Sequence, residues 1–441
     1  MLPSSRRAWR LVVLVLGAAL LVRVGTVVAI RDTYVPLNDA VAFDSIASSI
    51  VDGEGFGDSL VPAAEGPAAL RGPAYPVVLA ALYAVVGTHH MTWGLLQQAV
   101  IGTVLVALIG VVAAQLFSRR AALAAMGIAA VHPTLLLFGS SLQLELMLAG
   151  LELAAIAAAL QHRRRPQGLR WPIVAGICIG LTMLTREIGL LLIPTVVLLL
   201  WPRREGASPV PHWSRAALAA PVACLAVTAA VMVPWTVRNA VQFDAFIPLT
   251  TSAGVALAGT YNETSFDEKA DPALWRPPWL DRAMADVMID HEGDDEAAMD
   301  RALRQEAIDF VIDHPGYVPK AMLWNTVRLF DLEGTDHALF VRQFIPYPEM
   351  LTRLAVYASY LVWLVALAGL FLPALRRRLP WPVALFPVLV WLGLAVLSGN
   401  IRYRASLEPL AVVVAGGVVA LVADRLPRPR MFGGSTPETG G

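Results

Sequence analysis

Long apolar stretches separated by short polar gaps run through the whole chain and set its expected architecture. A run of about 20 apolar residues is long enough to carry a helix across a bilayer core. Helical hydrogen bonding is also what lets a backbone sit in lipid. Such runs predict spans at about 11–30, 92–117, 121–138, 141–161, 171–185, 187–201, 214–236, 352–374, 380–398 and 405–423. The pattern predicts an all-α polytopic membrane protein of about ten transmembrane helices, with outer juxtamembrane helices and a large outer loop. The first run follows Arg6, Arg7 and Arg10 and is too long for a cleaved leader. It is expected to stay as the first span, with the N-terminus in the cytosol.

One apolar piece, 73–86, is short and opens Gly72-Pro73-Ala74-Tyr75-Pro76. Arginine placement decides its role. Clusters stand at Arg119-Arg120, Arg163-Arg164-Arg165, Arg203-Arg204, Arg376-Arg377-Arg378 and Arg425 to Arg430. The positive-inside rule places all of these in the cytosol only if 73–86 does not cross. That segment is therefore expected to lie along the outer surface. The domains that follow are a transmembrane module over 1–237 with a first outer loop at 31–91, and an outer subdomain over 238–351. After these come C-terminal helices over 352–424 and a Pro/Gly-rich, disordered cytosolic tail over 425–441. The outer loop holds more than half of the 34 acidic residues, and its run Asp290 to Glu296 reads as a solvated face. The expected location is a cell (plasma or inner) membrane, with multiple passes, both termini cytosolic and the polar site outside.

Composition agrees: 57% of residues are hydrophobic and 15% charged, against about 25% charged in ordinary soluble domains. With a net charge of +0 and no soluble basic region, nucleic-acid binding is not expected. Cys178 and Cys224 both lie in apolar runs and read as small core residues, not as a disulfide. Lys269 and Lys320 are the only lysines, and this arginine bias points to a GC-rich bacterial genome.

Ionisable groups at membrane depth are costly, which marks them as functional candidates. Those expected at the outer face are Asp39, Asp44, Glu145, Arg186, Glu187, Arg238, Arg402 and Arg404. Asp39 stands just after the first span, where a carboxylate can act on a substrate that is half lipid and half polar. No His, Cys, Asp or Glu cluster has metal-ligand spacing, and no Gly-rich phosphate loop or nucleotide motif is present. No cofactor or metal is therefore expected. An outward-facing site also has no nucleotide sugar at hand, so its activated substrate would arrive through the lipid. A polyprenyl-phosphate-linked sugar meets that condition, because its phosphate calls for arginines and its chain can lie between spans.

The motifs at these positions form an ordered set. Asn38-Asp39-Ala40, Phe43-Asp44-Ser45-Ile46-Ala47 and Asp52-Gly53-Glu54-Gly55-Phe56 resemble the first-loop pattern of the GT-C superfamily. They are most similar to the family-39-like glycosyltransferases related to protein O-mannosyltransferases and aminoarabinose transferases. Arg71-Gly72-Pro73-Ala74-Tyr75-Pro76 is similar to that family's Arg-Pro-Pro-Gly-Tyr-Pro start of a juxtamembrane helix. Further matches are Ser141 to Glu145, Thr185-Arg186-Glu187, Pro234-Trp235 to Arg238-Asn239, and Arg402-Tyr403-Arg404 with Glu408-Pro409. Ala40, Phe43 and Ala74 depart from the common pattern, which has Glu, Tyr and Gly there.

The resemblance implies a hexosyl- or pentosyltransferase that moves a sugar from a polyprenyl-phosphate donor, with inversion, at the outer face. Asp39 would be the general base, or would orient the acceptor hydroxyl. Arg402 and Arg404 would hold the donor phosphate, with Arg186, Arg238 and Lys320 as further candidates. Glu145, Asp44 and Tyr403 would orient the substrate. The expected partners are the bilayer and the lipid-linked donor; the acceptor is left open among protein, lipid and polysaccharide. The alternatives are a transporter or flippase of lipid-linked envelope intermediates and a membrane scaffold. A transporter calls for polar residues and broken helices at mid-bilayer depth, where Arg23 is the main charged residue.

Overall fold

The computed structural model describes residues 6–166, 168–202, 215–342 and 346–425. Expectations for Arg203-Arg204 and for the tail beyond Arg425 lie outside the described residues. Among those residues the regular structure is helical, apart from two isolated bridges, Asp58–Pro67 and Glu65–Asp295.

The first half comprises α1 (Arg6–Ile30), α2 (Asp39–Asp52), α3 (Ala74–Val86), α4 (Met91–Leu116) and α5 (Arg119–Val131). It continues with α6 (Pro133–Leu137), α7 (Glu145–Arg164) and α8 (Arg170–Thr185). A 3-10 turn (Glu187–Leu191) then leads into α9 (Leu192–Leu200), followed by α10 (Arg215–Phe243). The region between α10 and the C-terminal helices holds α11 (Ala253–Ala258), α12 (Glu263–Asp267), α13 (Arg282–Asp290), α14 (Glu296–Asp313), α15 (Tyr317–Leu329) and α16 (Thr335–Val341). The chain closes with α17 (Glu349–Phe371), α18 (Pro373–Arg376), α19 (Trp381–Leu397), a 3-10 turn (Ile401–Ser406) and α20 (Glu408–Arg425).

Among the described residues, five stretches are long and apolar enough to cross a membrane: Trp9–Ile30, Met91–Leu116, Glu145–Arg164, Leu218–Phe243 and Glu349–Phe371. Ala74–Val86, Arg170–Thr185, Glu187–Leu200 and Trp381–Leu397 are apolar but shorter. Each of the ten expected spans falls on a helix or on a pair of helices in series. α10 runs on through Pro234 to Phe243, so the boundary expected at 237 lies inside a helix. On α1, Leu14 and Leu21 are 67% and 74% exposed, an apolar face of the kind a bilayer covers. α3 has 13 residues and is about 20 Å long, and it buries Tyr75 and Tyr83.

The helix expected at 121–138 breaks at His132-Pro133, because proline lacks an N–H and pushes the preceding residue out of helical geometry. Arg23, buried in α1, caps the break by donating to the carbonyls of Ala129 and Ala130 at 3.1 and 3.2 Å. Gly102 on α4 leaves room for it; a Cβ there would stand 2.6 Å from Arg23 Nε. Gly102→Ala is therefore expected to displace Arg23 and cost about 1–3 kcal/mol, read as a lower thermal midpoint in detergent. Gly150→Ala, whose added Cβ meets only Leu108 at 3.8 Å, is the neutral comparison. Equal midpoints for the two variants would contradict this role of Arg23.

The two ends of the bundle differ in chemistry. α7 carries Glu145 at one end and Arg164 at the other. Near the second end Arg378 donates to the Phe117 carbonyl at 3.3 Å, Arg163 to the Leu199 carbonyl at 3.3 Å, and Arg164 to the Gln115 carbonyl. Arg120 pairs there with Asp424. Among the described residues, Arg120, Arg163, Arg164 and Arg378 thus gather at the end of α7 opposite Glu145.

The helices α11 to α15 have a core of their own, which includes Tyr261, Met284, Met299, Leu303 and Tyr317 and also takes in Val61 and Leu70 of the segment between α2 and α3. Three of its helices, α12, α13 and α14, start on capping side chains. Asn262 accepts from Ser265 N at 2.8 Å, Asp281 from Met284 N at 3.1 Å, and Asp295 from Ala298 N at 2.8 Å. The acid run is therefore only partly a solvated face. Asp290, Glu292 and Asp294 are exposed, but Asp295 is a cap and Glu296 is fully buried.

Candidate active site

α2 begins at Asp39, directly after Asn38, which sits at a positive φ of 46°. That conformation is costly for a residue with a Cβ and tends to persist where function needs it. It aims the Asp39 carboxylate at two guanidinium groups. Arg71 Nη2 donates to Oδ1 at 2.5 Å and Arg402 Nη1 donates to Oδ2 at 2.7 Å. Burial alone would raise the Asp39 carboxyl, but Arg71 and Arg402 outweigh it and hold the group well below the usual carboxylate range.

Arg402 lies on the 3-10 turn Ile401–Ser406, whose start is fixed by Asn400 Oδ1 accepting from Arg402 N at 3.0 Å. All three of its side-chain nitrogens are engaged. Besides Asp39, Nε donates to Glu145 Oε1 at 2.8 Å and Nη2 to Gln143 Oε1 at 2.6 Å. Glu145 opens α7, where the helix dipole favours an anion. Gln98 donates to the Tyr75 hydroxyl at 2.7 Å and to the Gln143 carbonyl, which fixes the backbone beside Arg402. Tyr34 accepts from Leu142 N at 3.1 Å on the same strip.

Several polar atoms here are left open. Arg186 stacks over the Tyr403 ring at 4.6 Å, and its Nη1 stands 3.6 Å from Glu145 Oε1. Arg186 Nη1, Arg71 Nε, Glu145 Oε2 and the Tyr347 hydroxyl are all buried without a hydrogen-bond partner. Such groups are expensive unless a ligand or water completes them. Gly72 makes the arrangement possible, because a Cβ there would press on the Thr185 carbonyl at 3.0 Å, next to Arg186.

The structure thus gathers Asp39, Glu145, Arg186, Arg402 and Tyr403 into one cluster. The other sequence candidates stand elsewhere. Asp44 accepts from the Tyr83 hydroxyl at 2.5 Å, and burial raises its carboxyl. Arg404 is fully buried in a second network: it pairs with Asp331 at 2.7 Å and Glu408 at 3.3 Å and donates to Ser359 Oγ at 3.1 Å. Arg238 donates to the Ala68 carbonyl at 2.9 Å and lies over the Trp235 ring. Lys320 is exposed on α15 and donates to the Phe266 carbonyl at 3.0 Å. Sequence reasoning gave no role to Arg71 or Gln143, although both lie inside motifs that had been singled out. Tyr347, in Pro346-Tyr347-Pro348, carried no signal at all. Among the described residues no group of three or more His, Cys, Asp or Glu is placed to hold a metal ion.

Residues 70–250 match the family model described as dolichyl-phosphate-mannose-protein mannosyltransferase. The match takes in Arg71, Gln143, Glu145, Arg186 and Arg238, but neither Asp39 nor Arg402. No curated protein matches the chain. Among solved structures, the chain is similar to the Archaeoglobus fulgidus oligosaccharyltransferase in the apo form, with a TM-score of 0.59 and 14% identity, covering 96% of this chain and 51% of that one. The same archaeal enzyme, AglB, in complex with an inhibitory peptide and a dolichol-phosphate matches with a TM-score of 0.56 and 13% identity, covering 94% and 50%. ArnT from Cupriavidus metallidurans bound to undecaprenyl phosphate gives a TM-score of 0.45 at 17% identity, covering 95% and 79%. The chain spans about half the length of the oligosaccharyltransferase structures it matches. In fold it is a GT-C membrane protein, and over residues 70–250 its sequence is similar to the dolichyl-phosphate-mannose-protein mannosyltransferases.

Proposed function

We propose that the protein is a glycosyltransferase that moves a sugar from a polyprenyl-phosphate donor to an acceptor hydroxyl at the outer face of a cell membrane. The observation that carries this reading is a carboxylate, Asp39, held among guanidinium groups that still offer buried, unpaired N–H atoms. Those atoms call for an anion, and a lipid-borne phosphate is the anion a membrane helix bundle can receive. A similar structure holds a dolichol-phosphate. The gathering of Arg120, Arg163, Arg164 and Arg378 at the opposite end supports placing that end in the cytosol and Asp39 outside.

In the transfer step the acceptor oxygen bonds to the anomeric carbon from the face opposite the phosphate, giving inversion. Asp39 takes the acceptor proton, and the bond between the anomeric carbon and the phosphate oxygen breaks. Polyprenyl phosphate leaves with the electron pair, held by Arg186 and the open edge of Arg71 through charge-assisted hydrogen bonds. At rest Asp39 is a weak base because Arg71 and Arg402 grip both of its oxygens. A donor phosphate competes for those cations, and loosening that grip makes the carboxylate a better proton acceptor. Arg404 and Arg238, engaged elsewhere, act on structure in this reading. The groups around Asp39 are guanidinium donors, a set that attracts anions and repels a divalent cation, so the charge is carried on arginines and no metal is invoked.

The test is incubation of purified protein in vesicles with labelled polyprenyl-phosphate sugars. Release of polyprenyl phosphate together with a glycosylated acceptor supports the enzyme. Translocation of the intact lipid without release would favour a transporter instead. For that rival, the broken helix and the intramembrane arginine are the relevant features, and here they satisfy each other. Arg186→Leu is expected to raise the donor KM roughly ten- to hundredfold, the worth of about 1.5–3 kcal/mol in one charge-assisted hydrogen bond. An unchanged donor KM would remove Arg186 from the phosphate site.

A further inference from the structure

The chain between α2 and α3 that carries Arg71 is gripped from the outer helices. Glu296 is the first residue of α14 and has no exposed surface. Its Oε1 accepts from Leu60 N at 3.0 Å and from Ser59 Oγ at 3.0 Å. Its Oε2 accepts from Ala69 N at 2.6 Å and from Thr251 Oγ1 at 2.8 Å. Four donors fill the capacity of a carboxylate, and three of them belong to the first outer loop. The position at a helix N-terminus also favours the negative charge. From the other side Arg238 donates to the Ala68 carbonyl at 2.9 Å, and Thr251 N donates to the Ala69 carbonyl at 3.2 Å. Two further backbone bonds, Gly293 N to the Ala63 carbonyl and Glu65 N to the Asp294 carbonyl, stitch the same loop to the turn before α14.

Ala69 stands two residues before Arg71, whose guanidinium holds Asp39. We infer that Glu296 is a positioning residue: with Arg238 it fixes the main chain at Ala68-Ala69 so that Arg71 meets the Asp39 carboxylate, and the outer subdomain thereby sets the geometry of the transfer site. The inference rests on the transfer reading for its catalytic consequence but not for its structural content. It also gives Arg238 a task that accounts for its placement away from the Asp39 cluster. A shift of an ångström in a positioning element is enough to slow a reaction by about a hundredfold. Glu296 alone controls two of the backbone donors that define the path of this loop.

The test is Glu296→Gln in the full-length protein in nanodiscs. Glutamine keeps the size but offers one acceptor oxygen, so half of the donors lose their partner. The expected result is a roughly tenfold fall in kcat with the donor KM within about twofold. Combining it with Arg71→Lys should add nothing to the loss from Arg71→Lys alone, because both act through one contact. Losses that multiply would show that Glu296 supports stability in general and would overturn the inference. Amide hydrogen exchange, which does not depend on turnover, should rise over residues 66–72. Unchanged exchange there overturns the positioning role whether or not the protein transfers sugar. Raised exchange in a protein that proves inactive upholds it and rejects only the transfer reading. Thr251→Val, which removes a single donor, is the gentler variant if Glu296→Gln does not fold, and a smaller rise over 66–72 is expected from it. The exposed Glu292→Gln should leave both rate and exchange at their wild-type values.

Discussion

Asp39→Asn is expected to slow transfer by about 10²–10⁴-fold, the usual contribution of a positioned general base, in a protein that still folds. Asparagine keeps one oxygen for Arg71 or Arg402 but turns an NH2 group toward the other guanidinium. One charge-assisted hydrogen bond is lost, and a stability decrease of about 1.5–3 kcal/mol should accompany the loss of rate. Release of polyprenyl phosphate in a single turnover measures the first effect, and thermal unfolding in detergent the second. Wild-type turnover by Asp39→Asn would end the assignment of the base. The pH dependence follows from the depressed carboxyl. A group whose folded value lies below its unfolded value of about 3.9 contributes stability that is fully present above that unfolded value. The contribution is lost only as pH falls through the lower, folded value. Asp39 pairing should therefore contribute no change in stability between about pH 5 and 8.

Arg404→Leu is expected to be the most damaging single change to stability. Arg404, Asp331 and Glu408 are 0%, 1% and 0% exposed, so removing the cation leaves two carboxylates facing each other without water. Breaking a buried pair in this way typically costs about 3–5 kcal/mol. The expected readout is a sharply lower thermal midpoint and a low yield of folded protein. Adding Asp331→Asn and Glu408→Gln should restore much of the loss, because the stranded charges are then gone. A donor KM that rises while the midpoint holds would instead make Arg404 a phosphate ligand. The same network ties the C-terminal end of α15 to the start of α20, and His132 at the break before α6 faces it 3.4 Å from Glu408.

The long helices were legible in the sequence because the cost of exposing backbone in lipid is local: about 20 apolar residues in a row satisfy it without reference to the rest of the chain. The same local logic singled out Asp39 at a helix exit and Glu145 at a helix start. It could not separate Arg402 from Arg404, two residues apart in one motif. On a 3-10 turn, with three residues per turn, those side chains leave the axis in different directions. Arg402 reaches Asp39, 363 positions away in the chain, and Arg404 turns to Asp331. Nor could local pattern pick Glu296 from the acid run Asp290 to Glu296, where Asp290, Glu292 and Asp294 are exposed while the Glu296 carboxylate is buried and closes on the first loop. The sequence by itself thus determined the helical architecture and the neighbourhood of the site, because hydropathy acts on consecutive residues. Which cation serves Asp39, which keeps a buried N–H without a hydrogen-bond partner and which joins a second buried network were decided by tertiary packing. Pairing between charges depends on distances that no run of neighbouring residues encodes.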